Sequence, residues 1–265
     1  MEKISYLGPD GSYSSLAARK LAPEAELLPY NSFPAVFAAL ERGEADGAAV
    51  PIENSLNGGV LQNMDLLQSA DAYAERELCV NIDHRLFTLK GATASEIEEI
   101  YSHSQALEQC SEYLVKNFPS ARLIPSPSTA QALSAVTKKN RACIAGAHVR
   151  AEGLCKTAFN IADEPNNFTN FLLIRRGEVP EGKASQKIYF SAVCPNRSGA
   201  LLSLLQLIAM HGLNMLKIES RPVKGVLDEY RFFLEIEGDF ADEKIQAALE
   251  SLAKNGKNFK LLGAY

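Results

Sequence analysis

A repeated strand–loop–helix pattern in the first 174 residues most constrains the fold of this chain. Four short apolar runs each pass into a loop of small polar residues, and a helical pattern follows each loop at once. These loops occupy residues 8–12, 53–59, 102–105 and 125–128. Strands that alternate with helices at this spacing favour an α/β fold with mainly parallel sheets.

The same region contains two stretches with matching order and spacing. Ser32 opens a helical pattern, and an apolar strand-like run follows at Ala48. Ser128 opens a second helical pattern, which ends near Lys139, and a strand-like run follows at the same spacing. Two similar lobes that face each other across a cleft would produce this repeat, with the second lobe at roughly 77–157.

A polar segment separates this region from a second domain. Residues 171–174 have the pattern of a buried strand, and 177–186 then carry Gly and Pro without periodicity, which is typical of a linker. We therefore place the first domain at 1–176 and the second at 187–265. Two helical and four strand patterns in the second domain follow the order βαββαβ, which predicts a ferredoxin-like fold.

Composition and charge exclude several classes of protein. Lys and Arg number 27 against 32 Asp and Glu, and the net charge of −5 argues against a nucleic-acid-binding protein. No apolar run approaches the ~20 residues that span a bilayer, and no secretory signal is visible, so we expect a cytoplasmic protein without membrane contact. Five cysteines without C-x-x-C spacing and four scattered histidines predict no metal site, and we expect no cofactor.

The polar loops share a position that suits an anionic ligand. Each lies between the carboxyl end of a strand and the amino end of a helix, where free backbone N–H groups and the helix dipole favour negative charge. The hydroxyl groups of Ser12, Ser55, Ser102 and Ser128 add hydrogen-bond donors. Together they predict a site for a small carboxylated or hydroxylated molecule, although each serine alone also fits a helix N-cap without a ligand.

The sequence contains no motif for nucleotide binding or for an activated serine nucleophile. It lacks G-x-x-x-x-G-K-[ST], G-x-G-x-x-G and G-x-S-x-G, so we expect acid–base or electrostatic chemistry. Thr169, in the polar cluster 166–171, offers a hydroxyl that can donate to a leaving oxygen. The same cluster also fits an Asx-type turn that enters a strand.

Five short motifs, three in the first domain and two in the second, are shared with one known family. In the first domain, 6–14 resembles YLGPxGTYS, 50–60 matches VPIENSxxGxV, and 102–110 resembles SHPQALxQC. In the second domain, 199–202 resembles the GALV motif and 219–222 is the ESRP motif unchanged. With these motifs the chain resembles the monofunctional prephenate dehydratase family with a C-terminal ACT regulatory domain, and the resemblance covers nearly the whole chain.

The resemblance implies a fold and an activity. The fold would be a two-lobed, periplasmic-binding-protein-like α/β catalytic domain with a cleft, followed by a ferredoxin-like βαββαβ ACT domain. The activity would be the decarboxylative dehydration of prephenate to phenylpyruvate in L-phenylalanine biosynthesis. Arogenate as the substrate and a non-catalytic two-lobed sensor remain alternatives. Chorismate mutase activity would need a further helical domain, so we expect it from another protein.

The resemblance also implies the residues of the catalytic site. Thr169 is the expected catalytic residue, and Asn170 stands where the family's Thr-Arg-Phe motif has arginine. A missing guanidinium removes a bidentate partner for a carboxylate. His103 fits either a general acid or a residue that orients its loop. The expected substrate-binding residues are Gly11, Ser12, Asn54, Ser55, Ser102, His103, Gln105, Asn170 and Phe171.

The ACT domain is expected to bind L-phenylalanine as an allosteric effector at an interface in a homodimer or homotetramer. The helix start at Gly199 would supply backbone N–H groups for the effector carboxylate, and Glu219 or Asn214 would meet its ammonium group. The expected effector-binding residues are Asn196, Gly199, Ala200, Leu201, Asn214, Glu219, Ser220 and Arg221.

Overall fold

The computed structural model describes residues 1–265, apart from the side chain of Ala130. The first lobe contains β1 (Lys3–Leu7), α1 (Tyr13–Leu21), β2 (Glu26–Tyr30), α2 (Phe33–Glu41), β3 (Gly47–Asn54), β4 (Gly58–Gly59), α3 (Leu61–Ser69) and β5 (Ala72–Asn81). The second lobe contains β6 (His84–Leu89), β7 (Glu99–Ser102), α4 (Ser104–Glu108), α5 (Ser111–Asn117), β8 (Arg122–Pro125), α6 (Thr129–Ala132), β9 (Arg141–Gly146) and β10 (Leu154–Lys156).

The chain then returns to the first lobe before it enters the C-terminal domain. The returning strand is β11 (Phe168–Arg176). The C-terminal domain contains β12 (Lys187–Cys194), α7 (Ala200–Met210), β13 (Met215–Pro222), β14 (Tyr230–Glu237), α8 (Glu243–Asn255) and β15 (Lys257–Ala264). Its order is βαββαβ, as the sequence pattern predicts.

Two sheets organise the molecule. One runs β13-β14-β12-β15-β5-β11-β3-β1-β2 and extends from the C-terminal domain into the first lobe, where Gly263 of β15 pairs with Ala74 of β5. The other sheet, β10-β6-β9-β7-β8, forms the second lobe. Strands β5 and β11 belong to the first sheet and connect directly to the second lobe. The lobes are therefore joined by a double crossing, and the two-lobed α/β fold with a ferredoxin-like domain is confirmed.

The sheet of the first lobe is mixed rather than mainly parallel. Strand β1 runs parallel to β2 and β3, whereas β11 runs antiparallel to both β3 and β5. The difference arises because β11 returns from the second lobe and inserts between two strands of the first. As in any β-strand, alternate residues of β11 face opposite sides of the sheet. Phe171 packs near α1, and Leu172 packs near α2 and α3.

Side-chain caps fix several of the helix starts. The hydroxyl groups of Ser12 and Ser32 accept hydrogen bonds from backbone N–H groups in the first turns of α1 and α2, and the carboxylate of Asp242 does the same for α8. Each cap satisfies a backbone donor that the helix leaves free. These helices begin where the sequence pattern predicts them.

Two helices of the second lobe are shorter than the sequence pattern predicts. The helical pattern after residue 105 is broken at Cys110, because the Asp163 carboxylate accepts hydrogen bonds from the backbone N–H groups of Glu112 and Tyr113 and starts a separate helix, α5. The helix after Ser128 ends as a short 3-10 turn at Leu133–Ala135 and does not reach Lys139.

The described part of the chain contains no cluster of three or more metal-ligating side chains. None of its helices combines the length and apolar character that crossing a bilayer requires. Its five cysteines are free thiols, and Cys110, Cys143 and Cys194 are buried.

Candidate active site between the lobes

A cavity of about 270 Å³ lies between the two lobes, where β3 and β11 of the first lobe face α4 and the start of β6. Its wall combines apolar surface with polar side chains, and no Lys or Arg is among the described lining residues. The polar lining residues are Tyr13, Ser14, Asn54, His84, His103, Gln105, Gln109, Asn167 and Thr169. The apolar part of the wall includes Phe33, Ile82 and Phe171.

Thr169 and Asn54 lie opposite each other on β11 and β3, and both line the cavity. The Nδ2 group of Asn54 donates to Oγ1 of Thr169 at 3.0 Å and to Oδ1 of Asn167 at 2.7 Å. Because the threonine oxygen accepts this bond, its own proton is free to be donated into the cavity. The site therefore presents one oriented hydroxyl donor.

The same asparagine also fixes the loop that follows β3. Its Oδ1 atom accepts hydrogen bonds from the backbone N–H groups of Leu56 and Asn57, both at 3.1 Å. This is an Asx-type arrangement, in which a side chain replaces a backbone partner in a tight turn. Asn54 thus links the conformation of its loop to the orientation of Thr169.

The opposite wall contains a buried histidine. His84 is 3% exposed, and its Nε2 atom lies 3.0 Å from Oε1 of Gln109. Its Nδ1 atom is buried without a partner among the described residues. Burial lowers the pKa of His84, so the ring is neutral at pH 7, and a proton on Nε2 satisfies the Gln109 oxygen.

Tyr13 closes this wall at the start of α1. Its hydroxyl donates to the carbonyl of Asp83 at 2.6 Å and accepts from the N–H of the same residue at 2.9 Å. Burial raises the pKa of Tyr13, so the phenol remains protonated at neutral pH. Its ring packs edge-on to His84 and within 4.8 Å of the His148 ring. Tyr13 therefore ties the two lobes together beside the cavity.

Five of the predicted catalytic and substrate-binding residues line the cavity. These are Asn54, His103, Gln105, Thr169 and Phe171. His103 also caps α4, where its Nδ1 atom accepts a hydrogen bond from the N–H of Gln105 at 3.3 Å. This contact gives His103 a role in orienting its loop.

The structure does not bring the predicted glycine and serine groups into the cavity wall. The hydroxyl of Ser12 caps α1, and the Ser55 hydroxyl accepts from the N–H of Phe168 at 2.9 Å. Ser102 is completely buried and donates to the carbonyl of Ile144 at 2.8 Å. The carbonyl of Gly11 lies 3.1 Å from a ring nitrogen of His148. These groups therefore use their hydrogen bonds to hold the protein's own loops and helix starts.

Asn170 also lies outside the cavity wall. It pairs with Glu53 across the strands, one position from the pair of Thr169 with Asn54. Because successive residues of a strand face opposite sides, Glu53 and Asn170 face away from the cavity. The Glu53 carboxylate instead forms an ion pair with Lys217 of the C-terminal domain at 2.9 Å. Sequence spacing alone could not reveal that Asn170 faces away from the cavity, because spacing does not fix the register of β11.

Several lining residues were missed at the level of sequence. Tyr13 and Gln109 lie inside the quoted motifs, and Asn167 lies in the polar cluster before β11, so all three carried a usable signal. His84 carried none, because it lies at the start of β6 outside the recognised motifs. Its contribution depends on the way β6 crosses between the lobes.

The predicted effector residues fall on two sides of the C-terminal sheet within one chain. Gly199 has a φ of +78° at the start of α7, and Ala200 lines a cavity of about 280 Å³ beside this helix. Arg221 faces the other side, where its guanidinium makes two hydrogen bonds to Asp65 of α3. The remaining predicted positions on this domain are Asn196, Leu201, Asn214, Glu219 and Ser220, and the Nδ2 group of Asn214 donates to Glu237 at 3.1 Å.

Comparison with known proteins agrees with the fold and with the motifs. The family model "Prephenate dehydratase" matches residues 4–179, and the model "ACT domain" matches residues 188–254. The bifunctional chorismate mutase/prephenate dehydratase of Neisseria gonorrhoeae is 36% identical over 267 residues, which cover 99% of this chain and 74% of that protein. The prephenate dehydratase of Amycolatopsis methanolica is 35% identical over 273 residues, which cover 100% of this chain and 88% of that protein.

A solved structure shares the whole arrangement. The prephenate dehydratase of Arthrobacter aurescens, in complex with L-Phe, matches with a TM-score of 0.87 at 29% identity, over 99% of this chain and 90% of that chain. The two family models together account for both domains, and the cavity between the lobes lies within the first. The chain therefore belongs to the prephenate dehydratase family and carries an ACT domain after its catalytic region.

Proposed function

We propose that this chain is a prephenate dehydratase whose chemistry takes place in the cavity between the lobes, with Thr169 as the catalytic residue. The observation that carries the assignment is the Thr169 hydroxyl, which accepts from Asn54 and keeps its own proton free to donate. The hydrogen-bonded pair lies at the junction of two motif segments that are distant in sequence.

The substrate supplies most of the driving force for this reaction. The carboxylate on the ring of prephenate leaves as CO2, and the electron pair of that bond moves into the ring. The ring hydroxyl then leaves with its bonding electrons and takes up a proton as water, which completes the aromatic ring of phenylpyruvate. Thr169 stabilises the departing oxygen by hydrogen bonding rather than as a strong acid, because an alcohol with an ordinary pKa holds its proton tightly.

Amide groups are the main polar donors available to orient the substrate. Gln105, Gln109 and Asn167 line the cavity with Asn54, and each carries an NH2 group that can donate to a carboxylate oxygen. We propose that these groups, with His103, hold the two carboxylates. Neutral donors bind a dianion less strongly than a guanidinium does, but they also avoid stabilising the carboxylate that must depart.

The proposed regulation follows from the ACT domain. L-phenylalanine is the expected effector, since a family member has been solved in complex with it. The edge strand β13 exposes Leu216 and Ile218, which are 44% and 39% exposed, and an exposed apolar strand edge is suited to pairing with a second copy. We propose a homo-oligomer formed through this domain, in the cytoplasm, where five free thiols remain reduced.

The experiment that tests the catalytic assignment removes one hydroxyl. Thr169→Val keeps the side-chain shape, and we expect kcat for phenylpyruvate formation to fall by roughly 10² or more, the effect of losing one such donor. Thr137→Val, at an exposed position of the second lobe, serves as the matched control. Full activity of Thr169→Val would refute the role of Thr169.

The substrate is decided in the same assay. Wild-type enzyme is incubated with prephenate or with arogenate, with and without L-phenylalanine, and the products are separated as phenylpyruvate or phenylalanine. A higher kcat/KM for arogenate would replace the proposed substrate. If neither phenylpyruvate nor phenylalanine is formed from either substrate, the result would favour the non-catalytic sensor.

A further inference from the structure

The strand pair β3 and β11, which carries Asn54 and Thr169, also contacts the ACT domain on the face opposite the cavity. Lys217, on β13 of the ACT domain, places its Nζ atom 2.9 Å from Oε2 of Glu53 on β3. The Lys217 side chain is 12% exposed and the Glu53 side chain 37%, so the pair is partly shielded from water. An ion pair in this environment is screened less than one in open solvent.

The position of Glu53 gives this contact a short path to the catalytic residue. Glu53 is the neighbour of Asn54 in the chain, and Asn54 donates directly to the Thr169 hydroxyl. The register of β3 and β11 pairs Asn54 with Thr169 and Glu53 with Asn170. A shift of the Glu53 backbone therefore displaces both partners of the Asn54–Thr169 hydrogen bond.

The other polar contacts between the ACT domain and the first lobe reach different elements. Arg221 and Lys224 pair with Asp65 on α3, and Lys187 pairs with Glu77 on β5. Among the ion pairs of the described residues, Lys217 with Glu53 is the contact between these domains that reaches β3 itself. It is therefore the contact best placed to act on the catalytic pair.

We propose that Lys217 is a positioning residue for catalysis, which holds Glu53 and thereby aligns Asn54 with the Thr169 hydroxyl. The inference rests on the proposed dehydratase function and extends the active site across the domain boundary. The catalytic domain would then depend on the ACT domain for full turnover, even in the absence of an effector.

The strand register also predicts how the contact can be replaced. Asn170 lies directly opposite Glu53 on the same face of the sheet, where side chains of paired strands approach to about 5 Å at Cβ. An arginine at this position would place a guanidinium beside the Glu53 carboxylate from within the catalytic domain. Asn170→Arg should therefore compensate for loss of the Lys217 charge.

The test compares Lys217→Met, Lys217→Arg and the double variant Lys217→Met/Asn170→Arg. We expect Lys217→Met to lower kcat by about tenfold with KM changed less than about threefold, because a small misplacement of a catalytic group acts mainly on the transition state. Lys217→Arg should retain most of the wild-type kcat, and the double variant should recover most of the loss. Lys254→Met removes a lysine from an exposed ion pair within α8 and is the matched control.

Two measurements separate this inference from the proposed function. If the wild type does not convert prephenate, the proposed function fails. The ¹³C-methyl NMR signal of Thr169 still reports on its position, and we expect it to move in Lys217→Met but not in Lys254→Met. Equal kcat values in these two variants, no recovery by Asn170→Arg, or an unmoved Thr169 signal would each overturn the positioning role.

Discussion

The buried histidine of the cavity predicts a specific loss of stability in mild acid. The pKa of His84 is lowered in the folded protein, mainly by burial, from the ordinary value of 6.5. The unfolded chain takes up a proton at this residue as the pH falls below about 6.5, whereas the folded protein resists it. His84 therefore causes no loss of folding stability above this pH. As the pH falls below it, the free energy of unfolding decreases until the pKa of His84 in the folded state is reached.

The size of the effect follows from the number of protons that differ between the two states. One histidine contributes a slope of at most about 1.4 kcal/mol per pH unit, so between pH 6.5 and 5 the free energy of unfolding can fall by at most about 2 kcal/mol through His84. The pKa of His148 is also lowered by burial, but its partial exposure makes its share smaller. Burial opposes ionisation of Asp65, but its pairing with Arg221 and Lys224 lowers its pKa overall. Protonation of Asp65 therefore reduces the free energy of unfolding only at more acidic pH.

The assay is a series of urea titrations between about pH 7.5 and 5, on the wild type and on His84→Asn. The variant will differ from the wild type in absolute stability at every pH, so the quantity compared is the slope against pH. We expect the slope between about pH 6.5 and 5 to become shallower in His84→Asn. A variant that keeps the wild-type slope would refute the claim that His84 is held neutral by burial.

Two further substitutions test the junction between the ACT domain and the first lobe. The Lys260 ammonium group donates to three carbonyl groups at the end of α3. Lys260→Met should therefore lower the free energy of unfolding by about 2 kcal/mol and the Tm in calorimetry by roughly 4–8 °C, with Lys254→Met as the control. A Cβ atom at Gly263 would lie 2.6 Å from Cβ of Ala74, so Gly263→Val should separate β15 from β5 and speed proteolysis of the 177–186 segment. A wild-type Tm in the first variant, or a wild-type cleavage rate in the second, would contradict the corresponding contact.

The C-terminal domain was predictable because its information is local. The apolar residues Leu201, Leu204, Leu205 and Ile208 recur at helical spacing, and Asp242 stands at the start of a second helical pattern. Periodicity and capping act over a few residues, so a single sequence displays them. The observed helices and strands follow this order closely.

The candidate active site was only partly predictable, because the side of the sheet that a residue faces depends on the strand register. Asn54 and Thr169 carried motif signals and lie at the cavity, but Asn170 is turned away by the pairing of β11 with β3. Ser102 stands in a motif as well, yet its hydroxyl is used inside the second lobe. A one-residue change of strand register reverses which side chains face a site, and nothing local in the sequence specifies it.

The two faces of one strand pair also define what an effector must do. Asn54 and Thr169 face the cavity, while Glu53 and Asn170 face the ACT domain, so the Thr169 hydroxyl and β13 are separated by few contacts. An effector changes activity only if it binds two states of the protein with different affinity. In this structure Arg221 of the ESRP motif is engaged by Asp65. An effector that recruits Arg221 must therefore break this ion pair, whereas one that binds at the start of α7 near Gly199 can leave it intact. The Arg221–Asp65 ion pair thus distinguishes two routes of inhibition, and Asp65→Asn should strengthen effector binding only in the first.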